Sequence, residues 1–118
     1  MDDILQAHKE VNLVFGINDS SILGALASIE SAGRGTADKE LLVGYDASEP
    51  ALKYVVNNKS ALKIEVGNPP RDQVNQAYNL LSKMIKGEEV PDRVKVNFCL
   101  VTAEDADKWL SEQYPRKR

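Results

Sequence analysis

Apolar positions along the chain form short runs divided by polar, glycine or proline breaks, and their period alternates between that of a strand and that of a helix. Residues 2–9 read as a short helix, with Ile4 and Leu5 apolar. The run 12-NLVFGIN-18 reads as a buried strand, apolar on both faces. Asp19 is a natural N-cap, and Ile22, Leu26 and Ile29 then recur at helical spacing until Gly33. After the polar loop 33–40 comes a strand, 41-LLVGYD-46. Ser48 caps the next helix, Pro50 lies in its first turn, and Leu52, Val55 and Val56 form its apolar stripe. The strand 62-LKIEV-66 places Leu62, Ile64 and Val66 on one face and Lys63 and Glu65 on the other, a pattern that predicts a strand wet on one side or near an edge.

Pro69 and Pro70 break that strand, because proline cannot donate to a ladder. A helix over about 70–86 follows, carrying Val74, Ala77, Tyr78, Leu81 and Ile85 at helical spacing and stopped by Gly87. The run 94-VKVNFCLV-101 reads as a strand. Thr102 with Asp105 makes a capping-box-like start for a last helix with Ala106, Trp109 and Leu110. The order is α-β-α-β-α-β-α-β-α. Strict alternation with short links predicts a single α/β domain, a Rossmann-like parallel sheet flanked by helices.

Composition narrows the function classes. The 118 residues are enough for one domain with its own core. At 42% hydrophobic and 28% charged, the chain has the balance of a soluble globular protein. The net charge of −3 argues against nucleic acid as a partner, since phosphate neutralisation needs clustered cations. The one basic cluster, Arg116, Lys117 and Arg118, reads as a solvated tail. With Cys99 and His8 each alone, neither a disulfide nor a cysteine-based zinc site is expected, and Cys/His catalysis is poorly supplied. No metal or cofactor is expected. The opening 1-MDDILQAHKE-10 is acidic where a signal peptide would be basic.

In an open parallel sheet, ligands bind beyond the carboxyl ends of the strands. There the pattern places Asn18, Asp46 and Asn68, each following a strand. An amide that both donates and accepts, beside a carboxylate that accepts, suits a ligand with adjacent hydroxyls. The same residues also suit turns and caps, which is the competing reading. There is no P-loop, and the glycines of 33-GRG-35 end a helix instead of opening one. Asp46 has the position of a phosphoacceptor, but the partner acidic pair and lysine of receiver domains are lacking.

Three stretches in order resemble one family. They are 15-FGINDSSILGALASIESAGR-34, 43-VGYDASEPALKYV-55 and 61-ALKIEVGNPPRDQVNQAYNLLSKMIKGEEVP-91. Together they are similar to the C-terminal portion of the two-lobed periplasmic sugar-binding proteins of ABC transporters, of the ribose and galactose type. The resemblance implies a non-enzymatic module that binds a pentose or hexose for carbohydrate transport, in the periplasm or outside the cell, with a membrane permease as partner. It implies sugar-binding roles for Asn18 and Asp46, and for Asn68 at the position of a longer glutamine. Glu65 stands where the family usually has a small residue.

A complete member is about twice as long, so the resemblance also implies a missing N-terminal lobe that supplies stacking aromatics and an arginine. Phe15 and Tyr45 read as core. The segment 67-GNPP-70 is the candidate hinge, where the family's chain crosses between lobes. Without the second lobe the helix at 70–86 needs cover. It either folds back beside the 41–46 and 62–66 strands, with 94–101 as a fourth strand, or two chains pair as a homodimer. The stiff prolines favour the homodimer. The alternatives are the effector domain of a lactose-repressor-like regulator, whose usual "P-x-L-T-T-V" stretch is missing, or a phosphoacceptor or interaction module using Asp46.

Overall fold

The computed structural model describes residues 1–115. The element order is α1 (Asp2–Ala7), β1 (Leu13–Phe15), α2 (Asp19–Ser31), β2 (Leu41–Asp46), α3 (Glu49–Asn57), β3 (Leu62–Gly67), α4 (Pro70–Ile85), β4 (Cys99–Val101) and α5 (Ala106–Gln113). The basic cluster 116–118 lies outside the described residues. The four strands pair in chain order, β1-β2-β3-β4.

The first three strands are parallel, as the alternation predicts. Parallel crossovers are right-handed, and the order advances without reversing, so α2 and α3 fall on the same face of the sheet. A single core results. Ile22, Leu26 and Ile29 of α2, Ala51, Leu52 and Val55 of α3, and Ala106 and Trp109 of α5 close over Leu42, Leu62 and Val101.

The other face is open. Leu13, Phe15, Leu41 and Leu100 are exposed there, Phe15 to 62%. Helices α2, α3 and α5 flank the sheet on one face. Strand β1 is not buried on both faces, and Phe15 is not a core residue. Tyr45 is half-buried on this side and packs on Phe98, ring centroids 5.8 Å apart. The molecule is only 19 Å thick along its shortest axis, the depth of two layers.

The last strand departs from the prediction in direction and length. It covers 99–101 instead of 94–101 and runs antiparallel to β3, with Glu65 opposite Val101 and Gly67 opposite Cys99. The cause is the excursion between them. The chain leaves the sheet at the carboxyl end of β3, runs out along α4, and returns from the same side. A parallel fourth strand would need a crossover back to the amino end of the strands.

Helix α4 has no buried residue, and Val74, Tyr78, Leu81 and Ile85 of its apolar stripe are all more than half exposed. It is tied at its start to α5, where the Arg71 guanidinium donates to the Glu112 carbonyl at 3.0 Å. The fold-back that would cover it does not occur. The radius of gyration, 17.8 Å, exceeds the value of about 13 Å for a compact chain of this length. The arm accounts for the excess.

Candidate functional site

At the carboxyl edge, the register puts Phe15 beside Val43 and Asp46 beside Gly67. Asn18, Asp46 and Asn68 therefore emerge on adjacent strands at one end of the sheet. Each is held differently.

Asn18 is the N-cap of α2, in extended backbone, where Asp19 had been expected. Its Oδ1 accepts from the Ser21 N–H at 2.9 Å and from the Ser21 hydroxyl at 2.8 Å. The cap thus uses the amide's acceptor end, and among the described residues its two N–H donors have no partner. Asp19 is the first helical residue, and its carboxylate turns inward. It is buried, and Oδ2 accepts from the Ser48 N–H at 2.6 Å, tying the start of α2 to the turn after β2.

That turn carries the site's strained backbone. Asp46 has φ 119° and Ala47 has φ 55°. Non-glycine residues reach this region at a cost of about 1–3 kcal/mol each, and they persist only where the surroundings fix them. Three contacts fix them here. Ser48 is held by Asp19, the Asn68 N–H donates to the Asp46 carbonyl at 3.4 Å, and the Trp109 indole N–H donates to the Ala47 carbonyl at 3.1 Å. Among the described residues, no side-chain hydrogen bond uses the half-buried Asp46 carboxylate, which stays available to a ligand. The Asn68 Oδ1 accepts from Gln73 of α4, so this side chain is braced across the link to the arm.

Beneath the turn lies a group that the alternation misplaced. Glu65 is fully buried, not wet. Leu42 pairs with Leu62 but Val43 pairs with Ile64, so Lys63 is an extra residue in the ladder. This bulge turns Leu62 and Glu65 to the same, covered face. The space comes from Gly44, where an added Cβ would stand 2.2 Å from the Glu65 Oε1. Burial, then the neighbouring Asp19 and Asp46, push the Glu65 carboxyl up to about 9, so it is neutral near pH 7. The same two acids and Glu49 act on Tyr114, whose hydroxyl is raised first by its own burial.

A groove of about 800 Å³ lies elsewhere, between α3 and α5, lined by Lys53, Val56, Asp107 and Leu110 among others. The strand ends remain the better candidate, because the strained backbone and the free carboxylate converge there.

A family model described as a periplasmic binding protein domain matches residues 1–89. The chain belongs to the periplasmic binding protein domain family. The ribose import binding protein RbsB of Salmonella typhimurium is 33% identical over 102 residues, which cover 86% of this chain and 32% of that protein. Among solved structures, an ABC transporter periplasmic solute binding protein from Actinobacillus succinogenes with bound D-allose superposes with a TM-score of 0.82 at 30% identity, over 91% of this chain and 37% of that one. A solute binding protein from Bacillus halodurans with bound myo-inositol gives 0.82 at 25% identity, over 94% and 37%. The chain spans about a third of the length of the curated relatives it matches, which are therefore about three times as long and not twice as the resemblance implied.

The alternation of elements places all three site residues at the carboxyl end of the sheet, and that is where they stand. It missed Asp19, Glu65 and Trp109 as the supports beneath them. One signal was present: a glutamate where the resembling family has a small residue.

Proposed function

We propose that this chain carries half of a monosaccharide site for ABC-type carbohydrate import and catalyses nothing. The observation that supports the reading best is the unpaired Asp46 carboxylate, presented on a strained turn between Asn18 and Asn68. In this reading Asp46 accepts from two ligand hydroxyls, the Asn18 amide donates to a ligand oxygen, and Asn68 reaches the ligand from the hinge at 67–70. Polyhydroxylated rings named for the relatives (ribose, D-allose, myo-inositol) fit this donor and acceptor set. A second lobe supplies the remaining contacts and closes over the ligand. A membrane permease receives the loaded protein on the periplasmic or outer side of the membrane.

Half a site predicts weak binding. One face leaves the ligand's other hydroxyls in water and lacks the gain of closure, so the isolated chain is expected to bind D-ribose, D-allose and myo-inositol at millimolar concentration or not at all. Calorimetric titration of the 118-residue chain with each checks this. A micromolar constant would contradict the half-site reading.

The isolated chain also needs cover for its apolar surfaces. The open sheet face and the stripe of α4 together exceed what a stable monomer leaves wet, since each such side chain gains about 1.5–3 kcal/mol on burial. A homodimer that buries them around a twofold axis is the expected state. Light scattering behind a sizing column should find about 26 kDa, twice the 13.0 kDa chain. A folded species at the monomer mass would rule the pairing out.

A further inference from the structure

The buried acid under the Asp46 turn plays no part in the ligand contacts just described, yet its surroundings are built for it. The Glu65 side chain is completely buried, and the bare backbone of Gly44 leaves the room it occupies. Among the described residues, neither of its oxygens meets a hydrogen-bond donor, and Asp19 Oδ1 meets none either. Three buried acceptor oxygens without a donor are costly, and a native fold rarely leaves them so. One proton satisfies two of the three and leaves the other Glu65 oxygen beside the Ala47 N–H. A neutral Glu65 donates to the orphaned Asp19 oxygen, while the other Asp19 oxygen keeps the Ser48 N–H at 2.6 Å.

We propose that Glu65, through a proton shared with Asp19, is a positioning residue that holds the 46–48 turn and with it the reach of the Asp46 carboxylate. The groups that face it are Asp19 from α2, Asp46 from the end of β2, and the Ala47 N–H, which lies close without completing a hydrogen bond; Tyr114 at the end of α5 faces the two aspartates. When the proton leaves, two carboxylates confront each other in a dry layer and Asp19 loses the donor that balances it. The Asp19–Ser48 tie is the contact that then gives way, and the positive-φ residues Asp46 and Ala47 relax. What Asp46 holds rests on the sugar-binding reading; how the turn is held does not.

Nuclear magnetic resonance of the labelled 118-residue chain separates the two. Between pH 6 and 10.5 the Ala47 and Ser48 amides are expected to shift with the same midpoint as the Glu65 side-chain carboxyl, near 9. In Glu65→Gln, whose amide donates to Asp19 at every pH, these amides should stay flat. Asp19→Asn keeps an acceptor for Ser48 but removes the opposing charge, so it should lower the Glu65 midpoint. For any D-ribose binding detected, the half-saturating concentration should rise at least fivefold from pH 7 to pH 10 in the parent chain and not in Glu65→Gln. Turn amides that ignore the Glu65 titration, or a Glu65 that titrates below pH 5, would overturn the proposal. Coupled amides with no sugar bound by either protein at either pH would uphold the positioning role and leave the half-site reading intact, since that reading fails separately, in the two-lobed titration of Asp46→Ala.

Discussion

Glu65→Gln is expected to make the protein more stable above pH 5, by an amount that grows with pH. The carboxyl titrates near 9 in the fold and near 4.3 in an unfolded chain. Between those values the folded state holds a proton that the unfolded state has released, so unfolding free energy falls as pH rises. The slope approaches about 1.4 kcal/mol per pH unit, and stability levels off only above the folded value. From pH 5 to pH 8 the parent chain should therefore lose roughly 4 kcal/mol relative to Glu65→Gln. Glutamine has nearly the same shape and fits the space beside Gly44. Urea unfolding at pH 5, 6.5 and 8 reads the effect directly. Parallel pH profiles for the two proteins would show that Glu65 is ionised in the fold.

Trp109→Ala is expected to cost about 3–5 kcal/mol, enough to unfold a domain of ordinary stability. The ring is buried against the bare backbone of Gly67, where an added Cβ would lie 2.6 Å from Cη2. It also bonds the Ala47 carbonyl across 62 residues of sequence. The substitution therefore opens a cavity and leaves a buried carbonyl of the strained turn without its donor. Trp109→Phe should fall between, because it keeps most of the ring and loses only the hydrogen bond. Denaturant midpoints order the three proteins. A loss below about 1 kcal/mol for the alanine variant would mean that the turn is held without this side chain.

These supports explain how much of the molecule can be read from its sequence. Helical spacing and glycine stops located α2 and α4, and β2 is found with the predicted bounds. Such signals are local. The carboxyl-edge placement of Asn18, Asp46 and Asn68 also follows from alternation alone, because each comes directly after a strand.

The failures are non-local. A one-residue bulge at Lys63 reversed the face of Glu65, and no period within five residues reveals a bulge. The inward turn of Asp19 depends on Ser48, 29 residues away. The antiparallel β4 depends on where the arm returns, and the open sheet face depends on the unreversed strand order. The exposed apolar residues of β1 look like core in the sequence because an apolar run does not tell which of its faces is covered. In the proposed two-lobed protein, chain outside these 118 residues covers them.

The central claim is that Asp46 faces a sugar. The most direct measurement places this chain in a two-lobed context, replacing the matching segment of the Salmonella typhimurium ribose import binding protein, and compares the parent with Asp46→Ala by calorimetric titration with D-ribose. A carboxylate accepting from ligand hydroxyls contributes about 1.5–3 kcal/mol per bond. The dissociation constant is expected to be about tenfold to a hundredfold weaker in the variant, with the thermal midpoint of the unliganded protein little changed. An unchanged dissociation constant in a folded variant would contradict the claim.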